Sequence, residues 1–319
     1  MQTESISVVI PCHNASRYLA ATLKSVHAQA GYTLEVIVVD DGSTDGSAEV
    51  AEGFSSEVVV LRQTNQGAAS ARNAGIARAT HEWIAFLDAD DLWLPGKLHS
   101  QFEQLARHAG ARMCYTAWDV WSSCEPSPDA AYLADLEACA KDESRWSGAS
   151  GWIYRDLLID SAVWTSTVLL HRSLLDEIGL FDPSLHLGED LDLWLRASRT
   201  TPILRVCRPL ALYRMHPASL THIAPPRNYR AEVINRALER WGYDSPDGAK
   251  ADPEAVRRKL AQSWFEYGDL LLGAGDVVRA RTAAAKALRI DPAGVGGWKV
   301  YLKTLLRSLS SRINPAGQP

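Results

Sequence analysis

"LEVIVVDDGSTDGSAEV", residues 34–50, decides how this chain is read. Leu34 to Asp40 is a β-branched run with no polar alternation, as expected of a strand buried on both faces of a parallel sheet. It stops at two carboxylates and a glycine. The following "STDGSAEVAEGF" predicts a helix capped by Ser43 or Thr44. Working outward, the same unit repeats. "ISVVIPC" (6–12) is a first buried strand, and 15–30 its helix, with Tyr18, Leu19, Leu23 and Val26 at helical spacing. "VVVLRQ" (58–63) is a third strand, 66–79 a helix, and "EWIAFLD" (82–88) a fourth strand. Such alternation predicts an α/β fold, a mostly parallel sheet with helices on both faces.

In sheets of this kind ligands bind beyond the carboxyl ends of the strands. Polar residues gather at those ends: Pro11 to Asn14, Asp40 to Ser43, and Asp88 to Asp91. The acids of "FLDADD" (86–91) repel one another. Turn and helix-cap chemistry explains many aspartate clusters. A divalent cation explains this one as well, because it offsets the repulsion and takes oxygens from one or two carboxylates plus substrate phosphates. Carboxylates at Asp40 and Asp41 suit hydrogen bonds from a base or a ribose. Two acidic turns at one edge of one sheet point together to a nucleotide–metal site.

The rest of the chain is less regular. Residues 118–150 read as a loop-bearing insertion with a short helix at 129–140. A strand (163–171), a short helix (173–178), a helix opening near Glu189 and two strands around Pro209 in "ILRVCRPLALYRMH" (203–216) follow. After "IAPPRN" (223–228) the composition shifts to Ala, Arg and Leu at helical spacing, which divides the chain into a domain at 1–224 and a helical region at 225–319. Within the latter, "SWFEYGDLLLGAGDVVRARTAAAKALRIDP" (263–292) resembles a single tetratricopeptide repeat.

The charge balance of 33 basic against 38 acidic residues, net −5, provides no global field for nucleic acid. The five cysteines, Cys12, Cys114, Cys124, Cys139 and Cys207, form no C-x-x-C pair, so neither a zinc site nor a disulfide framework is indicated, and a reducing cytoplasmic setting fits. The N-terminus does not read as a signal peptide, and no apolar run reaches the roughly 18 residues of a bilayer span. "GWKVYLKTLLRSLSSR" (297–312) interleaves apolar residues with Lys299, Lys303, Arg307 and Arg312. Such a helix suits either the inner face of an anionic membrane or packing on its own domain.

"VVIPCHN", "VVDDGSTDGS", "NQGAASARNAG" and "FLDADD", in this order and spacing, resemble the signature of family 2 (GT-A fold) inverting glycosyltransferases across about residues 5–220. The resemblance implies a Rossmann-like GT-A sheet, a nucleoside-diphosphate sugar donor with UDP as the default, a Mn2+ or Mg2+ ion on the DxD element, and inversion at the anomeric carbon. Carried over position by position, it sets Pro11 and Asn14 in the donor pocket and Asp40 and Asp41 at the base and ribose. Arg72 falls near the nucleotide, Asp88 and Ala89 beside the nucleotide sugar, and Asp88 and Asp90 on the metal. Asp91 is left to cap the next helix. "LGEDLDLWLR" (187–196) matches the family's ED motif, so Asp190 is the expected general base and Glu189 its positioning neighbour. In "YRMHPAS" (213–219), His216 is an expected metal ligand and Arg214 a diphosphate contact. Trp164 is the aromatic expected on the acceptor side.

The implied reaction moves a sugar to a hydroxyl of a glycan or lipid-linked acceptor in surface polysaccharide biosynthesis. The competing readings are a nucleotidyltransferase and a non-catalytic scaffold acting through the helical tail. A nucleotidyltransferase wants a glycine-rich loop after the first strand, where this chain reads "PCHNASRYL". Expected partners are the donor, the acceptor and a membrane surface at the C-terminal helix; self-association is left open.

Overall fold

The computed structural model describes residues 4–216 and 224–313, and side chains as far as residue 307. The chain divides into two compact units, Met1–Leu157 with Ser161–His216, and Leu158–Asp160 with Pro217–Pro319.

The first unit opens with β1 (Ser5–Cys12), α1 (Ser16–His27), β2 (Thr33–Asp41), α2 (Ser47–Phe54), β3 (Val58–Gln63), α3 (Ala68–Arg78) and β4 (Trp83–Phe86). Then come β5 (Leu92–Trp93), α4 (Lys97–Ala106), β6 (Met113–Ser122), α5 (Ala130–Ala140), α6 (Tyr154–Leu157), β7 (Leu169–His171), α7 (Arg172–Ile178), α8 (Glu189–Ala197) and β8 (Ile203–Met215). They build one eight-stranded sheet in the order β3-β2-β1-β4-β7-β6-β8-β5. Strands β1 to β4 pair in parallel, and β7 is antiparallel to both of its neighbours. Val8, Val9, Ile10, Ile37, Val38 and Val39 are completely buried, which is the reason their runs carry no polar alternation. Helix α3 lies very close to this layer. A Cβ at Gly75 would stand 2.3 Å from Val9 Cγ1, so only glycine fits there.

Several expectations need correction. Neither Ser43 nor Thr44 caps α2, which begins at Ser47 behind Gly46; the 43–47 turn binds the β1–α1 loop instead. The strand expected at 163–171 is a 3-10 turn at Thr165–Thr167 followed by β7; the Thr165 and Ser166 hydroxyls donate to the side chains of Asp190 and Asp91, and the Thr167 hydroxyl to the Trp164 carbonyl. The two strands expected around Pro209 are one strand, β8, whose register with β6 shifts near the proline, a residue with no N–H to offer the ladder. Strand β6 itself runs into the stretch read as an insertion.

The second unit holds α9 (Tyr229–Trp241), α10 (Pro253–Gly273), α11 (Val277–Ile290) and α12 (Val295–Ile313). Gly275 turns the chain at positive φ, and the Asp276 side chain accepts the Arg279 N–H to start α11. Ala280, Ala283, Ala284 and Ala287 of α11 are buried, and Gly268 of α10 sits close enough that an added Cβ would stand 3.3 Å from the Ala280 carbonyl. Small residues thus let two helix backbones approach.

Candidate active site

The expected residues converge at the carboxyl ends of β1, β2 and β4, and three hydrogen-bonded systems hold them there. The first ties the β1 and β2 ends together. Asn14 adopts a left-handed backbone (φ 52°), and its side-chain oxygen accepts the Thr44 N–H at 2.9 Å while its own N–H reaches Ser43 Oγ at 3.0 Å. Asp40 and Asp41 sit on adjacent positions of β2 and so face opposite sides of the sheet. Asp41 accepts Gln63 Nε2 and the backbone N–H groups of Gln66 and Gly67 at 2.7–2.8 Å, which fixes the loop before α3. The structure thus separates the two: Asp41 holds a loop, and Asp40 accepts the Ser43 N–H at 3.2 Å. Pro11 lies on β1 beside Val39.

The second system crosses the site. Arg72 of α3 is buried, with Nη2 on Asp88 Oδ1 and Nη1 on Glu189 Oε1, each at 2.7 Å. One guanidinium therefore joins the DxD turn to the start of α8. Burial works against its charge, and the carboxylates of Asp88 and Glu189 outweigh burial and raise its pKa. Its Nε–H is buried with no partner among the described residues, a donor of the kind that a ligand or water satisfies. Phe181 lies across the guanidinium at 5.4 Å, held by Asn73, whose side chain bonds both the N–H and the carbonyl of Phe181. Burial pushes Glu189 up to about 7 against the pull of Arg72, with Asp190 adding to the rise. Asp190 is also raised, chiefly by burial; Thr165 Oγ1 donates to its Oδ2 at 3.1 Å and Leu191 N–H to its Oδ1 at 2.7 Å.

The third system surrounds Asp91, which does not cap α4; that helix starts at Lys97 behind Gly96. Asp91 is buried and accepts Ser166 Oγ at 2.5 Å, Arg214 N–H at 3.0 Å and Trp164 Nε1 at 3.1 Å. Burial and the nearby carboxylates of Asp90 and Asp88 push its carboxyl well above the ordinary range. Arg214, expected at a diphosphate, is fully buried with Nε on the Asp90 carbonyl, its other nitrogens on the Glu125 and Pro126 carbonyls, and its plane between Tyr18 and Trp121. It is a strut. Trp164 presents its N–H to Asp91 and its ring to Tyr213, 4.3 Å between centroids. Ala89 is buried in the turn, its carbonyl accepting Thr22 Oγ1.

His216 follows β8 and places Nε2 3.0 Å from Asp90 Oδ2. Pro217 to Ser219 of the same motif lie outside the described residues. Among the described residues no three His, Cys, Asp or Glu side chains converge on one point, since Asp88 is turned to Arg72. The donor set nevertheless fits a divalent ion. Asp90 and His216 provide adjacent oxygen and nitrogen, desolvation and the Asp88 carboxylate raise the Asp90 pKa, and such ions fill their remaining positions with substrate phosphates and water.

Thr165, Ser166, Asn73 and Phe181 were not singled out from sequence. The available signal was "TST" (165–167), three hydroxyls inside an otherwise apolar stretch that they would leave unsatisfied unless they met polar partners.

Residues 7–123 match the family described as Glycosyl transferase family 2. The amylovoran biosynthesis glycosyltransferase AmsB of Erwinia amylovora is 33% identical over 228 residues, covering 67% of this chain and 71% of AmsB. An uncharacterized glycosyltransferase of Rickettsia prowazekii is 29% identical over 69% of this chain, and the chain spans 66% of that relative's length. Among solved structures, TarS of S. aureus in complex with UDP-GlcNAc superposes with a TM-score of 0.60 at 17% identity, over 94% of this chain and 90% of that one. The mannosyltransferase PcManGT of Pyrobaculum calidifontis, in complex with GDP-Man and Mn2+, gives 0.55 at 17% identity over 99% and 89%. At these identities the structures show a shared GT-A-like fold.

Proposed function

The chain belongs to glycosyltransferase family 2, and from that premise we propose a metal-dependent, inverting transfer of a sugar from a nucleoside-diphosphate sugar to a hydroxyl of a glycan or lipid-linked acceptor. The observation that carries the reading is the Asp88–Arg72–Glu189 bridge, which brings the DxD turn and the ED helix start into one site. UDP-sugar is the proposed donor, after the UDP-GlcNAc bound by TarS, with the GDP-Man of PcManGT marking the other base in play. Surface polysaccharide biosynthesis is the proposed setting, as the name of AmsB suggests.

In this reading Asp40 receives the base or ribose and Asn14 shapes the pocket floor through the Thr44 contact. Pro11, Arg72, Asp88 and Ala89 complete the donor side. Asp90 and His216 would hold Mn2+ or Mg2+, with Asp88 adjacent. When bound, that ion provides positive charge against the departing diphosphate. Asp190 takes the proton from the acceptor hydroxyl as its oxygen attacks the anomeric carbon from the face opposite the leaving group. A raised pKa suits that task, because a base is more effective as its pKa nears the working pH. Glu189, locked by Arg72, holds the helix start that carries Asp190. Trp164 is proposed on the acceptor side.

The test is release of nucleoside diphosphate from a panel of UDP-, GDP- and dTDP-sugars with Mn2+ and with EDTA. The reading expects release with at least one donor, dependent on the ion. Pyrophosphate released from a nucleoside triphosphate instead would assign a nucleotidyltransferase.

A further inference from the structure

Helix α12 carries more apolar surface than its packing uses. One face is seated on α10 and α11: Val300 and Thr304 are fully buried, and an added Cβ at Gly296 or Gly297 would stand 2.9 Å from the Phe265 ring or 3.0 Å from Leu288. A different face, with residues recurring at spacings of three and four, points outward. Val295 is 67% exposed, Trp298 48%, Leu302 53%, Leu305 37% and Leu306 67%. Lys299, Lys303 and Arg307 form a row along one border of this stripe at i, i+4 and i+8. Lys303 also reaches Asp269, and Arg307 the Leu272 carbonyl, both on α10, so the row is anchored beside the stripe. The Trp298 N–H is already satisfied by the Pro292 carbonyl, which leaves its ring as apolar surface.

Charge is distributed unevenly along the chain. Residues 1–223 hold 17 basic and 28 acidic side chains, a net of −11, whereas 224–319 hold 16 basic and 10 acidic, a net of +6. An apolar stripe bordered by cations, within a basic region of an otherwise acidic protein, complements an anionic lipid headgroup layer above hydrocarbon. No helix of the described residues is long and apolar enough to cross a membrane, so the stripe can only lie along the surface. A second copy of this chain is a poorer match, because a two-fold antiparallel pairing of the stripe sets the basic row against itself.

We propose that α12 docks this protein on an anionic phospholipid bilayer, with Trp298, Leu302 and Leu306 in the interface and the Lys299–Lys303–Arg307 row on the headgroups. This goes beyond the proposed transferase activity and its readout does not depend on it. The full chain is sedimented with vesicles of equal parts phosphatidylglycerol and phosphatidylcholine, and with vesicles of phosphatidylcholine alone. Strong binding to the first, weakened by high salt, and little binding to the second are expected. Leu302→Ser with Leu306→Ser should weaken partition by about tenfold or more. Lys299→Glu, a single exposed change that leaves the stripe intact, should weaken binding to the anionic vesicles only. Donor binding, the melting temperature and the size in solution should be unchanged in both variants. No binding to either vesicle, or equal binding to both, overturns the proposal. So does a double-leucine variant that falls from dimer to monomer, which would assign the stripe to a second copy.

Discussion

Arg72 satisfies two buried acids with one guanidinium, and removing one member of such a system leaves uncompensated charge in a poorly solvated place. Arg72→Met should therefore lower unfolding free energy by about 3–5 kcal/mol in urea titration, and a near-native value would show that water already solvates this bridge. Glu189 makes a pH prediction with a definite sign. Its folded value of about 7 lies above the ordinary glutamate value of 4.5, so between them the native state holds a proton that the unfolded state has released. Stability contributed by this group is present below about 4.5 and lost as pH rises through about 7. Glu189→Gln should flatten the fall of melting temperature across that window; an unchanged slope would mean the group titrates normally. The types of these residues were legible in the sequence, since strand-end acids and a motif arginine stand out. Their partners were not. Asp40 and Asp41 read as equivalent until the pleat of β2 turned them to opposite faces, and Asp91 read as a helix cap because nothing local announces Ser166, 75 positions away.

At the level of elements, close approach of α3 to the sheet sets where Arg72 stands. Gly75→Ala would drive a methyl into Val9 and Val39, stiff β-branched neighbours within a fully buried layer. The cost should be about 1–3 kcal/mol by thermal or chemical denaturation, and adding Val9→Ala should recover part of it. Full stability of Gly75→Ala alone would show that the helix can lift off the sheet. Strands β1 to β4 were readable because uninterrupted apolar runs declare themselves, and each ends at a polar turn. Strands β5 and β6 were not, and β7 was read only as the end of a longer strand. Strands β5 and β7 are two and three residues long, and their places in the sheet depend on antiparallel pairings with distant segments. Pro209 suggested a break in the chain where the structure makes only a shift of register.

For the molecule as a whole, a ligand that binds only the folded state stabilises it by mass action, about 2.7 kcal/mol at one hundred times its Kd. The nucleoside diphosphate of the accepted donor should raise the melting temperature more with Mn2+ than with EDTA, and Asp90→Ala should erase that difference. A persistent difference would place the ion on other residues. The sheet was legible in the sequence down to the edge where its polar strand ends gather, because each parallel strand ends at a polar motif. The helical region was legible as helices, and its last one as apolar residues interleaved with cations, while the close contacts of α10 and α11 and the outward direction of the α12 stripe emerged only with the buried faces known.

The central claim joins a carboxylate at a helix start to proton removal from the acceptor. The measurement that reaches it most directly compares Asp190→Asn with the unaltered chain, following sugar transfer kinetically and donor binding by calorimetry. Transfer reduced by about 10²–10⁴-fold with an unchanged donor Kd is the predicted result. Retained transfer, or loss of donor binding in step with activity, would contradict the assignment of Asp190 as the base.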